Sequence, residues 1–150
     1  KPEKIYLGNM LNGKKEGKWV IWWNNGRKRS ETIYKNGKYD DSYIEWYKNG
    51  TKKIELIFDF NNGTAVHKQW YESGEKESEG SAKLGILNGL HITWYKNGQI
   101  RVNGLYKAGI KTGKWEYWYQ DGTKRLEDVY EKSKKIKNKD NLIGGLFKAN

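Results

Sequence analysis

The chain contains no cysteine and two histidines in 150 residues. The missing thiols exclude a disulfide framework, a nucleophilic cysteine and a thiolate metal site. No apolar run approaches the ~18 residues that a membrane-spanning helix needs. A phosphate-binding glycine loop and a cluster of metal ligands are also missing. Ser30, Ser42, Ser73, Ser78, Ser81 and Ser133 have no histidine in a matched local pattern, so no serine triad is legible. The chain reads as a non-enzyme without cofactor or metal. It opens on KPEKIY rather than Met, so removal of an upstream segment is expected, either a cloning remnant or a secretory signal. Lack of cysteine fits an exported bacterial protein of the cell envelope, and many cytosolic proteins as well.

What the sequence does hold is a period. WWNNG at 22, WYKNG at 46, WYESG at 70, WYKNG at 94 and WYQDG at 118 recur every 24 residues. A fixed period of this size marks a stacked array whose units bury apolar surface against their neighbours. A second glycine-bearing turn precedes each aromatic pair: LNGKKEG at 11, KNGKYDD at 35, FNNGTAV at 60, KLGILNG at 83 and KAGIKTG at 107. Between the turns lie segments such as KWVIWW, SYIEWY and LHITWY, with β-strand composition and length. Gly26, Gly50, Gly74, Gly98 and Gly122 end the aromatic motifs. Asn-Gly and Asp-Gly are strong hairpin signals because these residues accept positive φ.

The expected fold is all-β: an extended single-layer antiparallel sheet of tandem 24-residue β-hairpins. Residues 1–150 form one repeat domain, with repeats at 10–33, 34–57, 58–81, 82–105 and 106–129 and an atypical C-terminal cap or tail at 130–150. EKIYLGNM matches a return strand that begins the array. NLIGGLF is expected to fold back as a cap, with a solvated Lys-rich connection before it. Two features set the third repeat apart: Asn61 replaces the glycine of Gly13, Gly37, Gly85 and Gly109, and Gly80-Ser81 replaces an apolar strand end.

Aromatic residues make up 15% of the chain, and most fall on repeated positions. One column is Trp22, Trp46, Trp70, Trp94 and Trp118; the next is Trp23, Tyr47, Tyr71, Tyr95 and Tyr119. Adjacent strand residues point to opposite faces. The first column is assigned to structure and the second to partner binding, an assignment that a one-residue shift of register would exchange. Both columns can also pack across strands in place of the core a thin sheet lacks.

The net charge of +11 invites a nucleic-acid reading, but the charge reverses sign in the repeat 58–81, around Glu72, Glu75, Glu77 and Glu79. A continuous phosphate-tracking groove would not break there, so no specific nucleic acid is expected. The pairs Lys28-Arg29, Lys52-Lys53 and Lys124-Arg125 place cations on both faces. KSKKIKNK offers the place for weak contact with anionic lipid or acidic partners. Glu31, Glu55, Glu79 and Glu127 form a ladder with a spacing of roughly 10 Å, so bonding to lysines is expected rather than paired-carboxylate catalysis. His67 and His91 stand one repeat apart at the position of Trp19, Tyr43 and Trp115. At roughly 10 Å separation they read as column fillers rather than ligands to a shared ion.

Segments such as YKNGKYD and NGKKEGKWVIWWNNGRKRSETIYKNGK resemble the variant class of MORN repeats found in YwqK-like antitoxins, over about residues 9–130. The resemblance implies a non-catalytic scaffold whose partner is a protein, with an antitoxin or immunity-like role and a toxin as the partner. Tandem WY…G hairpins are also similar to choline-binding cell-wall repeats, which cage sugars or quaternary amines with aromatics, although those repeats are shorter and join their hairpins differently. A cell-envelope carbohydrate-binding module and an anionic-lipid surface scaffold are the alternatives. Oligomeric state is open.

Overall fold

The structure, a computed structural model, describes residues 6–131 and 134–138, with side chains over 7–131. It is all-β. The twelve strands are β1 (Tyr6–Leu11), β2 (Lys14–Trp22), β3 (Lys28–Lys35), β4 (Lys38–Trp46), β5 (Lys52–Asp59), β6 (Thr64–Trp70), β7 (Lys76–Lys83), β8 (Ile86–Trp94), β9 (Ile100–Lys107), β10 (Ile110–Trp118), β11 (Lys124–Glu131) and β12 (Lys134–Asn138). They lie in chain order in one antiparallel sheet. β1 pairs with β2 and so begins the array. The expected Lys-rich connection is a strand instead: β12 takes Lys134–Asn138 and pairs with β11, so at Tyr130↔Lys135 the ladder continues. The segment KKIKN holds neither proline nor glycine, which leaves it able to extend the sheet. The expected cap NLIGGLF lies outside the described residues.

Two edges of turns flank the ribbon, and they are built differently. At one edge, Leu11↔Lys14, Lys35↔Lys38, Lys83↔Ile86 and Lys107↔Ile110 close two-residue turns. Asn12-Gly13, Asn36-Gly37, Leu84-Gly85 and Ala108-Gly109 all have positive φ, as a type I′ turn requires. The third repeat closes at Asp59↔Thr64 with four residues between them, and its pairing continues without a shift to Ile54↔Gln69. In the second repeat, Tyr34 faces Tyr39 while Thr32 faces Tyr43, so the extra residues sit in a bulge. The longer turn thus takes up what its neighbours hold in a bulge, and the period survives. Asp59 caps it, accepting from the Asn61 and Asn62 amides at 3.1 and 3.2 Å.

At the other edge, Asn25, Asn49 and Asn97 do not have positive φ; the glycines after them do. This corrects the expected reason for Asn-Gly. Asn49 acts through its side chain: Oδ1 accepts from the Thr51 amide at 2.8 Å, and Nδ2 donates to Glu72 O of the next repeat at 2.7 Å. Asn25 and Asn97 repeat both bonds, onto Lys48 O and Gln120 O.

Candidate functional site

The two aromatic columns lie on opposite faces, at the ends of the even strands. Four of the five members of the second column bond one repeat forward. Trp23 donates Nε1–H to Trp46 O at 3.1 Å, and the hydroxyls of Tyr47, Tyr71 and Tyr95 donate to Trp70 O, Trp94 O and Trp118 O at 3.0, 2.9 and 2.9 Å. Backbone bonds fix each of these residues in its turn, as Tyr47 N–H to Thr51 O and Gly50 N–H to Tyr47 O show. The residues first assigned to partner binding therefore also hold neighbouring repeats together. Tyr119, at the end of the column, is 52% exposed.

On the opposite face, Lys28, Lys52 and Lys76 place their ammonium groups over the rings of Trp46, Trp70 and Trp94 at 5.7, 5.1 and 5.2 Å, and Lys124 lies over Trp118 at 5.6 Å. Each of these lysines also bonds the glutamate three residues on: Glu31, Glu55, Glu79 or Glu127. The acid ladder is thus occupied by lysines, as its spacing predicts. For Glu31, burial opposes ionisation, but hydrogen bonds from Lys18 and Lys28 outweigh it and hold the carboxyl below the usual range. On the first face, Arg29, Lys53 and Arg125 cover Trp23, Tyr47 and Tyr119. Much of the positive charge is therefore laid over rings, each contact being worth about 0.5–1 kcal/mol at exposed sites.

The face of the Tyr column carries the tightest ring packing. Trp115 is 2% exposed, donates Nε1–H to Leu105 O at 3.1 Å, and lies against Tyr106 at 5.0 Å between centroids. Its ring occupies the space above Gly104, where an added Cβ would come within 2.2 Å. The same arrangement recurs at the start of the array, where Trp19 lies over Gly8 and donates to Asn9 O at 3.1 Å. Tyr43, in the same column, donates to Glu45 Oε2 at 3.0 Å, and Lys53 bonds Glu45 Oε1 at 2.8 Å.

Burial, and then the hydrogen bond to Glu45, push the Tyr43 phenol up to about 12. An unfolded tyrosine titrates near 10. The stabilisation is therefore complete below about pH 10 and is lost as pH rises through about 12. Between about pH 9 and pH 11 wild type should lose about 1 kcal/mol more than Tyr43→Phe, the partial exposure of the ring holding the effect to that size or below. Melting curves at about pH 9 and about pH 11 would show this, and parallel losses in the two proteins would assign the effect elsewhere.

Between Tyr43 and Trp115 the column holds His67 and His91. Their ring centroids are 6.1 Å apart, far closer than the strand spacing implies. The rings lean together over Gly80 of the intervening strand β7, where no side chain separates them. Burial holds both imidazoles below their ordinary pKa. On the other face, the companion change at Ser81 opens a recess of about 290 Å³ lined by Val66, Leu90, Ile92 and Trp94.

The edge of two-residue turns carries residues that sequence reasoning did not single out. Phe60, Leu84, Ile86 and Ile110 are 58%, 78%, 53% and 44% exposed along consecutive turns. Leu84 takes φ 51° where the first two repeats place Asn12 and Asn36. A branched aliphatic residue in that region costs about 1 kcal/mol or more, and at 78% exposure little burial offsets it. The signal was present in KLGI, where Leu stands in the place of Asn, but an apolar turn reads as strand until the register is known.

The arrangement defines a tandem-hairpin repeat protein, an open ribbon with two broad faces and an apolar turn edge. Among its described residues, no group of three or more His, Cys, Asp or Glu side chains is placed to hold a metal ion, and no helix is long and apolar enough to cross a membrane. Residues 15–36 and 87–108 match the MORN repeat variant, a type of non-catalytic repeat associated with binding and interaction. The two matches begin at equivalent points, the first on β2 and the second on β8. No curated protein matches the chain.

Proposed function

We propose that the chain is a non-catalytic module that binds a protein partner, with the apolar turn edge around Leu84 as its first point of contact. The carrying observation is the exposed, left-handed Leu84. A strained apolar residue at a turn tip costs stability in the free protein and is retained where something outside the chain covers it. The turns on the opposite edge, NNGR, KNGT and ESGE, are polar throughout, so the architecture does not require apolar turns. At the opposite edge the exposed Tyr119 offers a separate contact, since Tyr and Trp anchor interfaces. Within this reading the resemblance to YwqK-like antitoxins supports an immunity-like role, in which the ribbon occludes a toxin.

Leu84→Asn separates the two effects. It should raise stability by up to about 1 kcal/mol, because Asn tolerates left-handed backbone, and it should weaken partner capture. The measurement is affinity capture from lysate of the source organism at moderate salt, with wild type and Leu84→Asn as baits, beside their thermal melts. A protein retained by wild type and lost from the variant supports the reading. Retention of only lipid or glycan, or equal capture by both baits, overturns it.

A further inference from the structure

We propose that the recess over β2, β3 and β4, on the face of the Tyr column, binds a small aromatic acid. Its volume is about 250 Å³, with walls of Trp19, Tyr34, Tyr39 and Tyr43 and with Lys15 and Arg29 in its lining. Pockets for drug-sized ligands run to about 300–1,000 Å³, so this space suits one ring with its substituents. The wall rings lie close to one another: Trp19 and Tyr34 at 6.2 Å, Tyr34 and Tyr39 at 5.2 Å, and Tyr39 and Tyr43 at 6.1 Å between centroids. Such walls favour a further aromatic ring, which gains edge-to-face or offset contacts beyond simple burial. Leu84 is no part of this recess, so the inference is independent of the protein-partner reading.

The last repeat shows what occupies this place when the chain itself supplies it. Lys15, Trp19 and Tyr34 hold the positions that Lys111, Trp115 and Tyr130 hold four repeats later, and in both sets the ammonium lies over the Trp ring, at 4.6 and 4.2 Å. One neighbouring cross-strand pair differs: Tyr117↔Leu126 in the last repeat is Ile21↔Ser30 in the first, and the two smaller residues line the recess. Tyr117 lies 6.4 Å from Trp115 between centroids, and its hydroxyl accepts a 3.0 Å bond from Lys111. It is a template for the ligand: a ring beside the Trp with an oxygen toward the lysine. In the first repeat Lys15 has a 3.5 Å contact with the Tyr34 hydroxyl, at the limit of a hydrogen bond. Among the described residues neither Lys15 nor Arg29 joins an ion pair. The carboxylate in the lining, Glu45, is already held by Lys53 at 2.8 Å and by Tyr43 at 3.0 Å. Two cations without a carboxylate partner beside the ring site call for an anionic oxygen on the ligand.

The test is titration of the isotope-labelled chain with 4-hydroxybenzoate, read from its amide and indole resonances. One saturable site is expected, with shifts concentrated at the Trp19 indole and in β2 to β4. Lys15→Gln removes a bond to a charged group and should weaken binding about tenfold or more. An Ile21→Tyr/Ser30→Leu variant carries the last repeat's pair into the first, fills the recess and should abolish binding. If that variant does not fold, Lys15→Gln decides the matter alone. Two control ligands should bind more weakly: glucuronate, an acidic sugar, for want of ring contacts, and 4-hydroxybenzyl alcohol for want of charge. Absence of a saturable shift at Trp19, unchanged affinity in Lys15→Gln or in a folded Ile21→Tyr/Ser30→Leu variant, or equal affinity for either control overturns the assignment.

Discussion

Trp115→Ala should destabilise the protein by about 3–5 kcal/mol, the range for removing a large buried aromatic side chain, and lower Tm by about 10 °C. No other described side chain of comparable size is as deeply covered. The ring contacts Tyr106, His91, Tyr117 and Tyr130, with centroids 5.0 to 6.5 Å away. Alanine leaves a cavity above Gly104 that a thin sheet cannot collapse to fill, because backbone hydrogen bonds hold β9 and β10 at fixed spacing. The loss should also be local. In a linear array each unit contacts its neighbours alone, so hydrogen exchange should quicken in β9 to β11 and stay slow in β3 to β5. Uniform quickening along the ribbon would show that the array unfolds as one unit. Trp19→Ala, at the equivalent position over Gly8 but less buried, should cost less.

The second large effect should come from removing three oxygen atoms. A triple Tyr47→Phe, Tyr71→Phe and Tyr95→Phe variant retains every ring but loses the bonds to Trp70 O, Trp94 O and Trp118 O. Each bond contributes about 1 kcal/mol. The sites lie on separate repeats and share no partner, so the losses should add to about 3 kcal/mol. Because the bonds couple one repeat to the next, the unfolding transition should also broaden. Chemical denaturation of the triple and single variants measures both quantities. An unchanged midpoint with an unchanged slope would mean that the hydroxyls contribute nothing to coupling, and would return this column to a binding role alone.

The period, the hairpins and the separation of the two aromatic columns were legible because they follow from spacing and strand alternation. What spacing could not reveal was how side chains lean. Repeats set about 10 Å between equivalent backbone positions, yet the His67 and His91 rings meet at 6.1 Å because Gly80 leaves the intervening space open. The cations were counted correctly but taken as solvated, since cation–ring contacts depend on register and on the bulges beside each Trp. At Trp46, for instance, pairing moves from Glu45↔Ile54 to Trp46↔Lys52. Asn49 signalled its turn for the wrong reason, acting through its amide onto Glu72 O rather than through φ. Leu84 was invisible as a site because composition alone does not say which apolar residue ends a strand and which one turns it.

The forward bonds of Trp23, Tyr47, Tyr71 and Tyr95 also bear on how such a chain changes length. Each interior unit gives one donor to its successor and receives one from its predecessor, so the link has a direction, like the couplings of a train. An in-frame duplication of 24 residues inserts a unit that receives and gives the same bond, and both old junctions are rebuilt without any compensating substitution. An insertion of any other length puts the wrong residue opposite the waiting carbonyl and breaks the links on both sides. The ribbon can thus lengthen or shorten by whole units at little structural penalty, and its reach over a partner is a quantity that gene duplication can adjust in steps.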